Sequence, residues 1–235
     1  MNPILQVSGL EKDFCMYTQN EKIIKGCQEL NFFLNQGQFL GIYGPSGAGK
    51  STILKCIYRT YLPSAGRMIY HSKLFGKVDL AAATEQQILA LRHQEMGYIS
   101  QFLQVIPRVS AQQIVAEGLI NRGAESGAAL AKAQALLGRL NLPAELWDAC
   151  PSTFSGGERQ RVNIARGVIS KPRLLLLDEP TASLDIKMQH AVLQILAELK
   201  QEGTTMIGIF HDLDLMRQIA DLKLSMVDGA LTAVA

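Results

Sequence analysis

The segment GPSGAGKS, residues 44–51, carries the first chemistry the chain offers. Gly44, Gly49, Lys50 and Ser51 fill the fixed positions of G-x-x-x-x-G-K-[ST]; Pro45, Ser46, Gly47 and Ala48 lie between them and Thr52 follows. Glycines let successive backbone N–H groups turn inward around phosphate oxygens. Lys50 supplies a compact positive charge for the outer phosphates of a nucleoside triphosphate, and the Ser51 hydroxyl suits Mg2+. QFLGIY before the loop reads as a strand and TILKCIY after it as a helix, the context that a phosphate loop requires.

A second set supplies what that loop lacks. Asp178 ends the apolar run LLLLD, and ligands of open parallel sheets collect at strand carboxyl ends. A carboxylate there can hold the Mg2+ shell. Its neighbour Glu179 is placed to polarise an attacking water as general base. Two acids after a strand would alone be an ordinary solvated loop; the phosphate loop changes that weighting. Gln101, in GYISQFLQVIPR, is a candidate for touching Mg2+ or the water, and His211, ending TTMIGIFHD, for touching the γ-phosphate. His71, His93 and His190 lack a strand-end context and read as structural.

The segment PSTFSGGERQR, residues 151–161, poses a separate question. Ser155 with Glu158 three residues on reads as a capping box. Gly156 and Gly157 in the first helical turn each cost about 1 kcal/mol against Ala. They are explained if bare N–H groups there must approach an anion. The phosphate loop already serves the chain's own nucleotide, so this helix calls for another phosphate.

These residues need a scaffold. Residues 1–43 alternate short apolar runs with turns and read as a small, mostly antiparallel β layer ending in one buried strand. Residues 67–80 read as a further hairpin. From about 86 to 170 the pattern is helical, with Ser110 an N-cap and an apolar stripe stopping before Pro143. RLLLLDEP and TTMIGIFHD suit central strands of a parallel sheet covered on both faces. LKLSMVDGALTAV reads as a closing hairpin turning at Asp228–Gly229. The fold class is α/β, a parallel-sheet core with an antiparallel β layer. A helical subdomain at about 86–170 is inserted in a single nucleotide-binding domain spanning 1–235.

With 48% hydrophobic and 19% charged residues over 235 positions, the composition is ordinary for a globular chain. A net charge of +2 is too small to argue for nucleic acid or an anionic membrane. The four cysteines, Cys15, Cys27, Cys56 and Cys150, show no metal-ligand spacing and read as reduced thiols in the cytoplasm. MNPILQVSGL lacks a signal-peptide pattern, and no apolar run reaches the roughly 18–20 residues that cross a bilayer. Any membrane-spanning role falls to another chain.

Taken in order, the motifs resemble the ATP-binding-cassette (ABC) ATPases. The phosphate loop is at 44–51, the glutamine loop at Gln101, the signature FSGGE at 154–158 and the second acidic motif LLLLDE at 174–179; the dimer-contact SLD is at 183–185 and the switch histidine is His211. The resemblance implies ATP and Mg2+ as cofactors and hydrolysis to ADP and phosphate. It also implies a head-to-tail dimer with a second ABC subunit, the same chain or a sister ATPase. Ser155, Gly156 and Gly157 would then act on the partner's ATP, which answers the question of the second helix. Residues 44–52 would bind phosphate, with Ser51, Gln101 and Asp178 serving the metal, Glu179 the base and His211 the γ-phosphate sensor. Phe14 falls where an aromatic stacks on adenine, with Tyr17 a nearby competitor. Phe154 stands where leucine is typical and Glu158 where glutamine is frequent; neither removes a phosphate contact.

Within the family, SQFLQVIPRVSAQQIV, LWDACPSTFSGGERQRVNIARG and GIFHD resemble the L-type subunits of the bacterial carbon–phosphorus lyase system, which degrades phosphonates. That implies a cytoplasmic role beside soluble carbon–phosphorus lyase core subunits, with no nucleic acid and no membrane insertion. The ATPases of lipoprotein-releasing and macrolide-type exporters share the core motifs and are the alternative. The chain's own residues support β–γ cleavage only.

Overall fold

The apolar runs at the start of the chain join into two long strands, β1 (Leu5–Met16) and β2 (Lys22–Leu34), paired antiparallel. Turns expected inside this region are bulges: the register slips at Val7/Leu10, Leu10/Lys12 and Lys12/Asp13, and Gly9 and Glu29 carry positive φ. A bulge absorbs an extra residue without ending the pairing. The computed structural model describes residues 3–16, 22–101, 103 and 107–233, so Tyr17 lies outside the described residues. The expected hairpin, β4 (Ala65–Ser72) and β5 (Gly76–Asp79), pairs with β1 to give a sheet of order β2-β1-β4-β5.

The core sheet comprises β3 (Phe39–Tyr43), β6 (Met96–Ile99), β7 (Leu174–Asp178), β8 (Thr205–Ile209), β9 (Leu222–Val227) and β10 (Ala230–Ala233). Its order is β10-β9-β3-β8-β7-β6, parallel except for the β9–β10 hairpin. That hairpin turns at Asp228 and Gly229, with φ of 47° and 81°, the left-handed pair a tight two-residue hairpin needs. Successive strand residues face opposite ways. Leu174 and Leu176 join a core with α1 (Lys50–Ile57), α2 (Glu85–Gln94) and the antiparallel sheet. Leu175 and Leu177 join the core beneath α3 (Ala111–Ile120), α4 (Ser126–Arg139), α5 (Gly156–Val168) and α6 (Ile186–Gln201). A short α7 (Leu213–Arg217) follows β8. Both faces of the parallel sheet are covered, as continuous apolar strands demand.

The span 86–170 is not helical throughout. Met96–Ile99 forms β6, the edge strand beside β7, and α2 packs with the opposite core from α3–α5. Four residues including a glycine are a weak strand signal, and pairing with Leu174–Leu177 decides it. Among the described residues no helix is long and apolar enough to cross a membrane. Burial pushes the Cys27 thiol up to about 12 and the Cys56 thiol up to about 11, so both stay protonated inside the core.

Glu95 ties the two sheets together. Its carboxylate, 3% exposed, accepts from Tyr70 Oη at 2.8 Å, Ser72 Oγ at 2.9 Å, the Lys73 and Leu74 amides and Arg173 Nη1 at 3.0 Å. Burial alone would raise its pKa, but the hydrogen bonds outweigh it and hold the carboxyl below the ordinary value. Glu95→Ala removes the acceptor shared by the half-buried Arg173 guanidinium, the Tyr70 and Ser72 hydroxyls and two amides and is expected to cost about 3 kcal/mol, read by denaturant melts. The Glu95 contribution is present above the unfolded-state pKa and is lost as pH falls through the lower folded value. Wild type therefore loses part of its stability in acid that the variant never had.

Candidate active site

Parallel register brings the chemistry to one edge. Ile42 of β3 and Asp178 of β7 both pair with Ile209 of β8, and Ile99 of β6 pairs with Leu177. Gly44, Gln101, Glu179 and His211, next along from these strands, therefore emerge side by side where open sheets take ligands.

The phosphate loop is shaped by its glycines. Gly44 and Gly49 have φ of 149° and 95°, and a Cβ on Gly49 would stand 1.8 Å from the Gly26 carbonyl oxygen. Only glycine lets the loop sit this close to β2. Gly49 caps α1 with no side-chain acceptor, so backbone amides there remain for an anion. Pro45, Ser46 and Gly47 are exposed, whereas Ala48 is buried. Lys50, 6% exposed, donates from Nζ to the carbonyls of Gly44 at 2.8 Å and Pro45 at 2.7 Å, which aims the ammonium into the loop. Burial lowers its pKa, and the carboxylates of Glu179 and Asp178 oppose that. Thr52 sets its methyl beside Gly26.

Ser51 Oγ donates to Asp178 Oδ1 at 2.8 Å, and Tyr98 Oη donates to Oδ2 at 3.0 Å. Asp178 is 4% exposed. Burial, then the neighbouring Asp178 charge, pushes the Tyr98 hydroxyl up, so it remains a donor. Tyr98 stacks on Tyr58 at 5.1 Å, and Arg92 lies over Tyr58 at 4.5 Å while donating to its carbonyl. Glu179 sits at φ 55°, a strained conformation for a residue other than glycine, at the turn after β7. Its Oε2 accepts from Gln101 Nε2 at 3.0 Å, and its Oε1 lies 2.7 Å from His211 Nε2.

The residues fit a Mg-nucleotide. Ser51 and Asp178 present hydroxyl and carboxylate oxygens 2.8 Å apart, the hard ligands Mg2+ takes. Among the described residues no group of three His, Cys, Asp or Glu side chains could hold a metal alone, and Mg2+ in nucleotide sites draws its remaining ligands from water and phosphate. Bound there, the ion supplies charge neutralisation for phosphoryl transfer. Ser51, Asp178 and the Gln101 amide would hold it, Lys50 and the loop amides would hold phosphate oxygens, and Glu179 would accept the proton of a water oriented by Gln101 and His211.

Not every expected residue joins this group. Phe14, half-buried, meets the edge of Tyr61 at 5.2 Å, has Lys12 Nζ 5.1 Å from its centroid and lies against Gly26. The rings are packed together near the phosphate-loop helix, and Lys12 already covers Phe14. Ser155 is exposed at the N-cap of α5 and forms the capping box: Glu158 N–H donates to its Oγ at 3.3 Å and its own N–H donates to Glu158 Oε2 at 2.7 Å. A Cβ on the exposed Gly156 would touch nothing within 4 Å. Ser155 and Gly156 of the signature are thus exposed, while Phe154 before them is buried. The motif reading missed Tyr58, Arg92 and Tyr98, and the buried Gln160 and Asn163 of α5. The last two carried a signal: polar residues three apart on the apolar stripe of a helix need buried partners.

A phosphate loop at the edge of a parallel sheet, flanked by an antiparallel β layer and three helices, defines a cassette-type ATPase. Residues 27–182 match the ABC transporter family, and the chain belongs to that family. It is 37% identical over 233 residues to the lipoprotein-releasing system ATP-binding protein LolD of Shewanella sp. (strain MR-4), covering 99% of this chain and 96% of that one. It is 32% identical over 228 residues to the macrolide export ATP-binding/permease protein MacB of Bdellovibrio bacteriovorus, covering 97% of this chain and 33% of that longer protein. The dimeric post-hydrolysis structure of the cassette MJ0796 with ADP and Pi superposes with TM-score 0.87 at 28% identity, over 97% of this chain and 96% of that one. The activity is ATP hydrolysis, and the relatives are transporter subunits; none of them supports the phosphonate reading.

Glu179→Gln keeps the side-chain shape but removes the proton acceptor. Hydrolysis is expected to fall at least about 100-fold, and a dimer should accumulate with ATP in gel filtration. A variant that stays monomeric and hydrolyses ATP normally would show that Glu179 is not the base.

Proposed function

We propose that the chain is the ATP-hydrolysing subunit of a two-cassette machine, in which each ATP is clasped between one subunit's phosphate loop and the other's signature. One observation carries this reading: the capped N-terminus of α5 leaves Ser155 and Gly156 exposed, while Lys50, Ser51, Gln101, Asp178, Glu179 and His211 gather at the strand ends of the parallel sheet. The solved MJ0796 cassettes, described as dimers, support it. We read residues 1–235 as one nucleotide-binding domain working at the cytoplasmic side.

The stroke needs a reader. A cleft of about 800 Å3 opens between α2–β6 and α3–α5, lined by Leu89, Arg92, Gln101, Glu117 and Arg122 among others. It borders the glutamine loop, so a partner segment seated there would sense the metal site. The LolD and MacB similarity favours a membrane permease partner of the lipoprotein-release or macrolide-export type. The other reading, a soluble carbon–phosphorus lyase complex, rests on the sequence resemblance alone. Isolation of the tagged chain from cells grown on phosphonate separates the two. Recovery with a permease only in detergent supports the exporter reading; recovery with soluble lyase subunits without detergent supports the other.

Ser155→Arg tests the clasp itself. Hydrolysis is expected to be lost while the monomer's ATP affinity stays within about threefold, a change under 1 kcal/mol. Loss of monomer binding would place the signature in cis.

A further inference from the structure

The buried face of α5 runs along the backbone that carries the catalytic pair. Gly157, Gln160, Asn163 and Gly167 are spaced three, three and four residues apart, one face of a helix. At its two ends glycine allows close approach: a Cβ on Gly157 would lie 3.3 Å from the Ser183 carbonyl oxygen, and one on Gly167 would lie 2.3 Å from Ile99 Cγ1. Between them stand two buried amides, Gln160 at 3% and Asn163 at 4% exposure. Gln160 Nε2 donates to the Pro180 carbonyl at 3.1 Å, one residue past Glu179. Asn163 Nδ2 donates to the Ser100 carbonyl at 2.6 Å, one residue before Gln101, and also reaches Gln160 Oε1 at 3.3 Å. Gln101 and Glu179 close the ring through their own hydrogen bond at 3.0 Å.

We infer that Gln160 and Asn163 are positioning residues that make the tilt of α5 set the Gln101–Glu179 geometry, so that the helix presenting the signature outward also adjusts the chain's own hydrolytic pair. Asn163 also borders the cleft that Ser51, Gln101 and Asp178 line. Each amide donates to a carbonyl adjacent to Glu179 or Gln101, and a buried or part-buried carbonyl gives up its donor only at a cost. A small rotation of α5 about its glycine-packed ends therefore shifts both catalytic residues in register. The inference rests on the ATPase activity and not on which partner reads the stroke.

Asn163→Asp keeps the volume and replaces the donor to Ser100 with a carboxylate oxygen. In steady-state assays of the full chain with Mg-ATP, kcat is expected to fall about tenfold, the loss of one buried hydrogen bond, while KM for ATP stays within about twofold. The decisive readout is a cycle with Gln101→Ala. If Asn163 acts through the Gln101 loop, adding Asn163→Asp to Gln101→Ala should lower kcat by less than about twofold more. Losses that multiply in the double variant, or a raised KM with unchanged kcat, overturn the inference. If Asn163→Asp melts below the assay temperature, Asn163→Ala is read by the same two criteria. Wild-type turnover in the same assay separates failure of this inference from failure of the ATPase reading.

Discussion

The buried carboxylate of Asp178 is the constraint on which the rest of the site depends. A carboxylate at 4% exposure must be satisfied by close donors, and it finds them on two different elements: Ser51 on the helix after the phosphate loop, and Tyr98 on β6. The two oxygens of one side chain thus lock α1 and the edge strand to the end of β7. Tyr98 in turn stacks on Tyr58, and Arg92 of α2 lies over Tyr58. The Ser51–Asp178 pair that would hold the metal is itself held by a chain of aromatic and guanidinium contacts that reaches the antiparallel side of the molecule.

The same economy governs the backbone. The phosphate loop can hug β2 because Gly49 has no side chain to meet the Gly26 carbonyl, and α5 can hug β6 because Gly167 has none to meet Ile99. Glycine costs helix stability, yet here it sets the distances between packed elements. Between the close contacts, the buried amides of Gln160 and Asn163 add hydrogen bonds to the backbone beside Glu179 and Gln101.

Glu179 shows where local preference was overridden. Its left-handed backbone is a costly conformation for a glutamate, sustained because Gln101 and His211 both meet its carboxylate and Gln160 holds the next carbonyl. Strain at the residue expected to take a proton is consistent with a site held ready by its surroundings rather than by its own sequence. Glu95 plays the corresponding structural part, a buried charge that ties both sheets and Arg173 into one body.

The phosphate loop, the acidic pair at the end of β7, the capping box of α5, the N-cap at Ser110 and the Asp228–Gly229 hairpin were all legible from residue types at short spacing. Each rests on local physics: a glycine conformation, a capping hydrogen bond, an alternating or continuous apolar run. The edge strand β6 was not legible, because four residues acquire strand character only from the neighbour they pair with. The bulged continuity of β1 and β2 was hidden for the same reason. The roles of Tyr98, Gln160 and Asn163 depend on contacts with residues 20 to 80 positions away, or 63, as for Asn163 and Ser100. Sequence by itself determined which groups could bind phosphate and metal; tertiary structure decided which of them meet, because only parallel register and the packing of α5 bring distant strand ends within hydrogen-bonding distance.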